Sequence, residues 1–270
     1  MTELDLALFA AYGTLGLVVG FVAGLLGVGG GLIIVPVLIL LLQAQGLALG
    51  IEPQVALATS LATILFTSLS SVRAHHRRGA VDWPLLRRIT PGILAGTLAG
   101  ALLAAQLSAL LLKLFFVAFL FYAAFQMWLD FKPAPHRALP GRGGTTLAGG
   151  VIGAVSSWVG IGGGTLSVPF MLWHNVALHR AIATSAAIGF PIAVAGTAGY
   201  VLGGLGVAGR PPASAGFVYL PALAGIVLGS VLTAPLGARA AHRMPVRALK
   251  RGFALLLFTL ALRMVWTFQA

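Results

Sequence analysis

Two runs of three glycines are the sharpest chemical feature of this chain. Gly29-Gly30-Gly31 sits in a block running from Gly27 to Pro36, and Gly162-Gly163-Gly164 sits in a matching block from Gly160 to Pro169. Each run parts an incoming apolar stretch from an outgoing one. Glycine admits positive φ and lets backbone approach a ligand closely. A helix beginning just after the glycines would turn its unpaired N–H groups and the positive end of its dipole toward the break. Such a break can hold an anion without any formal positive charge. Hydroxyls supply further donors. Thr59 and Ser60 follow the first block, Thr184 and Ser185 follow the second, and Thr165 lies inside the second with Ser167. Ser156 and Ser157, just before the second break, are weaker candidates.

Each feature also has a bland reading. Ser and Thr in helices commonly bond back to their own carbonyls. Small residues spaced by four let helices pack closely in membranes. Gly16, Gly20 and Gly24, then Gly92, Gly96 and Gly100, then Gly149 with Gly153 and Gly225 with Gly229, read as packing of that kind. Three consecutive glycines exceed what close helix contact needs, which favours a binding role for the two triplets.

Other chemistry is thin. The acids are Glu3, Asp5, Glu52, Asp82 and Asp130, all expected at helix ends or in loops. An acidic proton relay within a span and a carboxylate cation cage are therefore not expected. There is no cysteine, so disulfides, thiolate metal sites and cysteine nucleophiles are excluded. His75, His76, His136 and His242 fall in basic loops, and His174 and His179 flank a short connection. No Ser–His pairing in helix register offers a nucleophile with its base. The expectation is no catalytic residue, no metal and no cofactor. Arg263 lies in the last apolar segment, three residues before Trp266; it either snorkels to the interface or faces the bundle. Trp83, Trp128, Trp173 and Trp266 suit an interfacial belt.

The elements that must position these groups are membrane helices. Of 270 residues, 59% are hydrophobic and 8% charged, against about a quarter charged in an ordinary soluble domain. Lipid must solvate much of the surface. Apolar segments occupy 6–26, 31–45, 54–72, 89–107 and 109–129, then 146–159, 164–175, 181–202, 215–238 and 246–268. Those at 31–45, 146–159 and 164–175 are too short to cross comfortably alone. The acidic start, Met1 to Asp5, argues against a cleaved leader.

The two halves repeat. Besides the glycine blocks, Ala58-Thr59-Ser60 matches Ala183-Thr184-Ser185, Leu94-Ala95-Gly96 with Gly100 matches Leu223-Ala224-Gly225 with Gly229, and Met127-Trp128 echoes Met264 with Trp266. Four blocks in one order indicate duplication. The net charge of +12 lies in short loops, the positive-inside pattern rather than a nucleic-acid surface. Arg73, Arg77, Arg78, Arg87 and Arg88 follow segment 54–72, while Arg210 alone follows its counterpart. Around 106–110 there is no charge, yet the equivalent connection carries Arg239, Arg243, Arg247, Lys250 and Arg251. The basic loop has moved by one connection, as inverted repeats predict. The expected architecture is an all-α polytopic membrane protein. It has two inverted repeats, 1–130 and 146–270, each a Gly-broken short-helix hairpin plus three spans, about eight to ten segments in all. A basic cytoplasmic linker at 131–145, with Lys132, Arg137 and Arg142, joins them, and both termini lie outside.

The duplicated order of these motifs resembles the TauE/SafE sulfite exporters, also called TSUP transporters, over about residues 10–267. The resemblance rests on Gly24-Leu25-Leu26-Gly27-Val28-Gly29-Gly30-Gly31 with Pro36, the second copy ending at Pro169, and the Ala-Thr-Ser elements. Descriptions of that family count seven or eight spans; ten segments differ from this in how the broken hairpins are counted. The resemblance implies a bacterial or archaeal inner-membrane permease for sulfur-containing anions such as sulfite or organosulfonates. Carried over, its site comprises Gly29, Gly30, Gly31, Thr59 and Ser60 with Gly162, Gly163, Gly164, Thr184 and Ser185. The expected partners are a small anion and the lipid bilayer, with no nucleic acid; a homo-oligomer is left open. The leading reading is a secondary transporter, an exporter working by alternating access. A passive anion channel, a permease for another organic anion, an intramembrane enzyme and a scaffold subunit are the competitors.

Overall fold

The computed structural model describes residues 3–26, 30–46, 50–129, 138–241 and 246–266. Gly27, Val28, Gly29, Asp130, Lys132, His136, Arg137, His242 and Arg243, named above, lie outside the described residues. Among the described residues there are ten helices: α1 (Glu3–Leu26), α2 (Gly31–Ala44), α3 (Glu52–Arg77), α4 (Trp83–Gln106), α5 (Ala109–Leu129), α6 (Arg142–Val159), α7 (Gly164–Trp173), α8 (Leu178–Gly203), α9 (Leu220–Ala241) and α10 (Val246–Trp266). A two-residue hairpin, β1 (Ser214–Ala215) and β2 (Val218–Tyr219), precedes α9. Every apolar segment expected from the sequence becomes a helix. The segment expected at 215–238 loses its first turn to the hairpin.

Helix boundaries follow local chemistry. Asp82 caps α4 by accepting from Leu85 N at 3.1 Å, and Pro84 follows in the first turn, where its missing N–H costs nothing. α6 begins at Arg142, inside the expected linker, and ends on Gly160 at φ 68°, a left-handed cap that glycine adopts without a Cβ penalty. Pro36 and Pro169 stand at the sixth position of α2 and α7. Each removes an N–H, so the carbonyl four residues back loses its helical partner close to the break. α2 has 14 residues and α7 has 10, or about 21 and 15 Å at ~1.5 Å per residue, short of the roughly 30 Å hydrocarbon core.

Among the described residues, five helices are long and apolar enough to cross a membrane: α3, α4, α5, α8 and the Leu220–Gly237 part of α9. Their outer faces are apolar. Leu147, Phe125 and Leu232 are 72%, 67% and 70% exposed. Water would not tolerate so many such side chains, and lipid supplies their solvent. The chain is an all-α, multi-pass membrane protein.

The interior is built on α3 and α8. Val55, Ala56, Leu57, Ala58 and Leu61 of α3 are buried, as are Ala181, Ala183, Ala187, Ile188 and Ile192 of α8. The two run antiparallel. A Cβ on Gly196 would stand 2.7 Å from Leu61, and one on Gly189 would stand 3.7 Å from Ser68. Around this pair, α1 packs along α9 and α6 packs along α4. The small-residue runs form these seams. A Cβ on Gly16 would lie 2.5 Å from the Ile226 carbonyl, and one on Gly225 2.7 Å from Tyr12 Cβ. On the other seam, a Cβ on Gly96 would collide with the Gly150 carbonyl, and one on Gly153 would lie 2.5 Å from Thr97 Oγ1. These glycines are packing residues, as their spacing predicts.

Candidate functional site

The two glycine breaks touch. A Cβ on Gly31, at the first, would collide with the carbonyl of Gly160, which opens the second. A Cβ on Gly160 would lie 2.9 Å from Val35 of α2 and 3.1 Å from Leu57 of α3. Ser60 donates to the same Gly160 carbonyl at 2.7 Å. The Ala-Thr-Ser element of α3 therefore fastens the end of α6, 100 residues away in sequence.

The breaks differ in geometry. Gly163 has φ +79°, a left-handed residue at the start of α7, and accepts from Leu166 N and Ser167 N. A Cβ there would be strained and would stand 2.7 Å from Ile192 Cδ1 and 3.6 Å from Ser156 Oγ. Gly30, its counterpart before α2, is right-handed at φ −79°, and a Cβ there would meet Val19. Positive φ, expected to serve both triplets, is thus found at Gly163 and not at Gly30; Gly29 lies outside the described residues. Gly162 lies between Ile64 of α3 and Gly189 of α8, 3.5 and 3.6 Å from a Cβ position. Gly164 is the first residue of α7.

Hydroxyl chemistry also separates the sequence candidates. Thr63, Thr90, Thr146, Ser157 and Ser230 bond back to carbonyls of their own helices, the habit expected of membrane hydroxyls. The motif hydroxyls instead cross between elements. Thr59 Oγ1 accepts from Tyr219 N at 3.0 Å, Thr184 Oγ1 accepts from Asp82 N at 2.9 Å, and Ser185 and Ser167 share a bond of 2.7 Å. All are buried. Thr165 Oγ1 and Ser156 Oγ are different. Thr165 is 6% exposed and Ser156 fully buried, and neither hydroxyl has a hydrogen-bond partner. A buried hydroxyl without a partner costs roughly 1–3 kcal/mol. Both belong to the segment that brackets Gly163, one before the break and one in the first turn of α7.

Among the described residues no lysine or arginine is buried. Arg263 is exposed in the last turn of α10, so it does not face the bundle. Trp83, Trp128, Trp173 and Trp266 are all exposed, as a belt requires. His174 is buried with Nδ1 2.7 Å from the Phe170 carbonyl, a local structural bond. No group of three metal-ligating side chains occurs among the described residues. One residue read only as a helix-end acid proves buried: Glu52, at the start of α3, is 4% exposed with Oε2 unpartnered.

The profile of the family described as Sulfite exporter TauE/SafE matches residues 12–264. The chain belongs to this family. A relative from Haemophilus influenzae, described as a probable membrane transporter protein, is 36% identical over 250 residues, covering 92% of this chain and 95% of that one. The probable membrane transporter protein YjnA of Bacillus subtilis is 27% identical, over 93% and 97% of the two chains. One from the archaeon Methanocaldococcus jannaschii is 25% identical over 64% and 65%. No solved structure matches. Membership of TauE/SafE makes this chain a secondary membrane transporter rather than an enzyme. It is a multi-pass protein of the bacterial or archaeal cytoplasmic membrane.

Proposed function

We propose that this TauE/SafE protein exports a small sulfur-containing anion, such as sulfite or an organosulfonate, by alternating access around its two glycine breaks. The observation that carries the proposal is that two buried hydroxyls without partners flank the second glycine break, Ser156 Oγ in the last turn of α6 and Thr165 Oγ1 in the first turn of α7. The N–H groups of the first turn of a helix lack intrahelical acceptors, and its dipole favours negative charge there. Gly163, Gly164 and Thr165 offer such N–H groups, and Ser156 and Thr165 add two O–H donors. With no cationic side chain buried among the described residues, an anion bound here would be held by dipoles alone. That is strong enough to replace part of its hydration and weak enough to let it leave.

The first break contributes shape rather than hydroxyl donors. Its residues following Gly31 are Leu32 and Ile33, whereas Thr165 and Leu166 follow Gly164. Gly29, Gly30 and Gly31 on this reading let the first hairpin approach the second closely. Ser60 and Ser185 hold the second break from its two sides, through Gly160 and Ser167. We take the two halves to be inverted repeats, 1–130 and 146–270, joined by the cytoplasmic linker 131–145. The exchange of partners supports this: α1 lies on α9 as α6 lies on α4, so the first helix of each half packs on the fourth of the other.

The test is efflux from sealed proteoliposomes loaded in turn with sulfite, thiosulfate, sulfoacetate, taurine, sulfate and chloride. Saturable efflux of a sulfur anion supports the proposal. Movement confined to a sulfur-free anion would refute the substrate class, and non-saturable flux would favour the alternative reading, a passive channel.

A further inference from the structure

Thr59 and Thr184 occupy the same place in the two Ala-Thr-Ser elements, and each grips a backbone N–H across the molecule. Thr184 accepts from Asp82 N, and Asp82 is the residue immediately before α4. Thr59 accepts from Tyr219 N, and Tyr219 is the residue immediately before α9. Each threonine thus holds the entry to the fourth helix of the other half.

Both contacts are reinforced, by different means. Beside Thr184, Asp82 Oδ2 lies 3.5 Å from Arg180 Nη2, one turn earlier on α8, and Val81 packs with Ala183 and Ala187. Beside Thr59, the Tyr219 ring meets Tyr12 edge to face at 5.8 Å, and the Tyr12 hydroxyl accepts from Gln45 Nε2 at 2.6 Å.

The two contacts lie at opposite ends of the central helix pair. The antiparallel register, with Leu61 beside Gly196 and Ser68 beside Gly189, sets Thr59 level with Ala198. Thr184 is then roughly 14 residues away along α8, or about 20 Å at ~1.5 Å per residue. Gly162, against Ile64 and Gly189, falls between them. The order along the axis is one threonine contact, the glycine break, then the other.

We infer that Thr59 and Thr184 are the latches of two gates that close the transport path on opposite sides of the glycine break. Here both are engaged, which is the occluded arrangement. Releasing Thr59 frees the hairpin and the start of α9 at one face. Releasing Thr184 frees residues 81–82 and the start of α4 at the other. This assigns the two threonines to positioning rather than to contact with the anion, and it rests on the alternating-access reading above.

The chain has no cysteine, so a single introduced thiol reports access without background. Ile64→Cys puts it beside Gly162. An impermeant thiol reagent is applied to one face of oriented vesicles, then to the other. Thr59→Val should speed labelling from the face of the 204–219 loop only, and Thr184→Val from the opposite face only. The gain should be about three- to tenfold, the population shift that one neutral hydrogen bond can give. Thr→Ser at either site keeps the hydroxyl and should return the parental rate. A second measurement does not depend on the valine variants folding well: Val81→Cys with Ala183→Cys, once oxidised, should block transport and labelling from that face, reversed by reductant. Labelling that rises equally from both faces, or not at all, or a serine variant that behaves as valine, would overturn the latches. Sided labelling in a protein that moves none of the anions would keep the latches and sink the substrate proposal instead.

Discussion

Thr165→Val separates a binding hydroxyl from a structural one, because the two make opposite predictions for stability. Valine matches threonine in shape and removes only the hydroxyl. Thr165 is 6% exposed and its Oγ1 has no partner, so the fold loses no hydrogen bond. It sheds instead a desolvation penalty of roughly 1–3 kcal/mol. A gain near the lower end, about 1 kcal/mol, raises Tm by about 2–4 °C for a domain of this size. Transport should move the other way. A hydrogen bond to a charged group is worth about 1.5–3 kcal/mol, so loss of the donor should weaken anion binding about 10- to 150-fold, at about 1.4 kcal/mol per tenfold. The assays are thermal unfolding in detergent and the anion concentration dependence of efflux. A variant that is stabler but transports with much weaker apparent affinity is the expected result. A less stable variant, or one with unchanged affinity, refutes the reasoning.

The remaining predictions use the same logic. Ser156→Ala should reproduce the opposed effects, and combining it with Thr165→Val should cost less than the two losses multiplied if both donors serve one anion, read from a double-mutant cycle. Gly163→Ala should destabilise by about 2–4 kcal/mol, from about 1–2 for the left-handed backbone and about 1–2 for crowding the buried Ile192, measured as a fall in Tm. Ser60→Ala should cost about 1–3 kcal/mol, because it strips the Gly160 carbonyl of its donor at the meeting of the breaks; unchanged Tm would show that contact to be idle. Gly96→Leu should break the α4–α6 seam and give aggregated protein on size exclusion, whereas Gly13→Ala, with nothing within 4 Å, should be neutral or stabilising.

Much of the fold was legible because lipid imposes a simple rule. A span must be apolar and helical, so segments such as 109–129 and 181–202 stood out by composition alone. Small-residue spacing likewise announced the α1–α9 and α4–α6 seams, though not which helix would face which. The hairpin before α9 was missed because two-residue strands carry no periodicity; Gly216-Phe217 between Ala215 and Val218 was its one signal, a two-residue turn with Gly216 at φ +57°. The hydroxyls were legible as a set and illegible as individuals. Recurrence singled out Thr59, Ser60, Thr184 and Ser185, but tertiary contacts alone decide that these are partnered while Thr165 and Ser156 are not. Glu52 shows the same limit. Its place at a helix end is readable from sequence, and its burial depends on what packs over it.

The measurement that goes straight to the central claim is counterflow of labelled sulfite in proteoliposomes. A carrier whose site alternates between faces should take up label faster when unlabelled sulfite is inside, saturate with concentration, and lose affinity in Thr165→Val. Uptake indifferent to internal anion, linear in concentration and untouched by Thr165→Val would contradict a glycine-break carrier for this substrate.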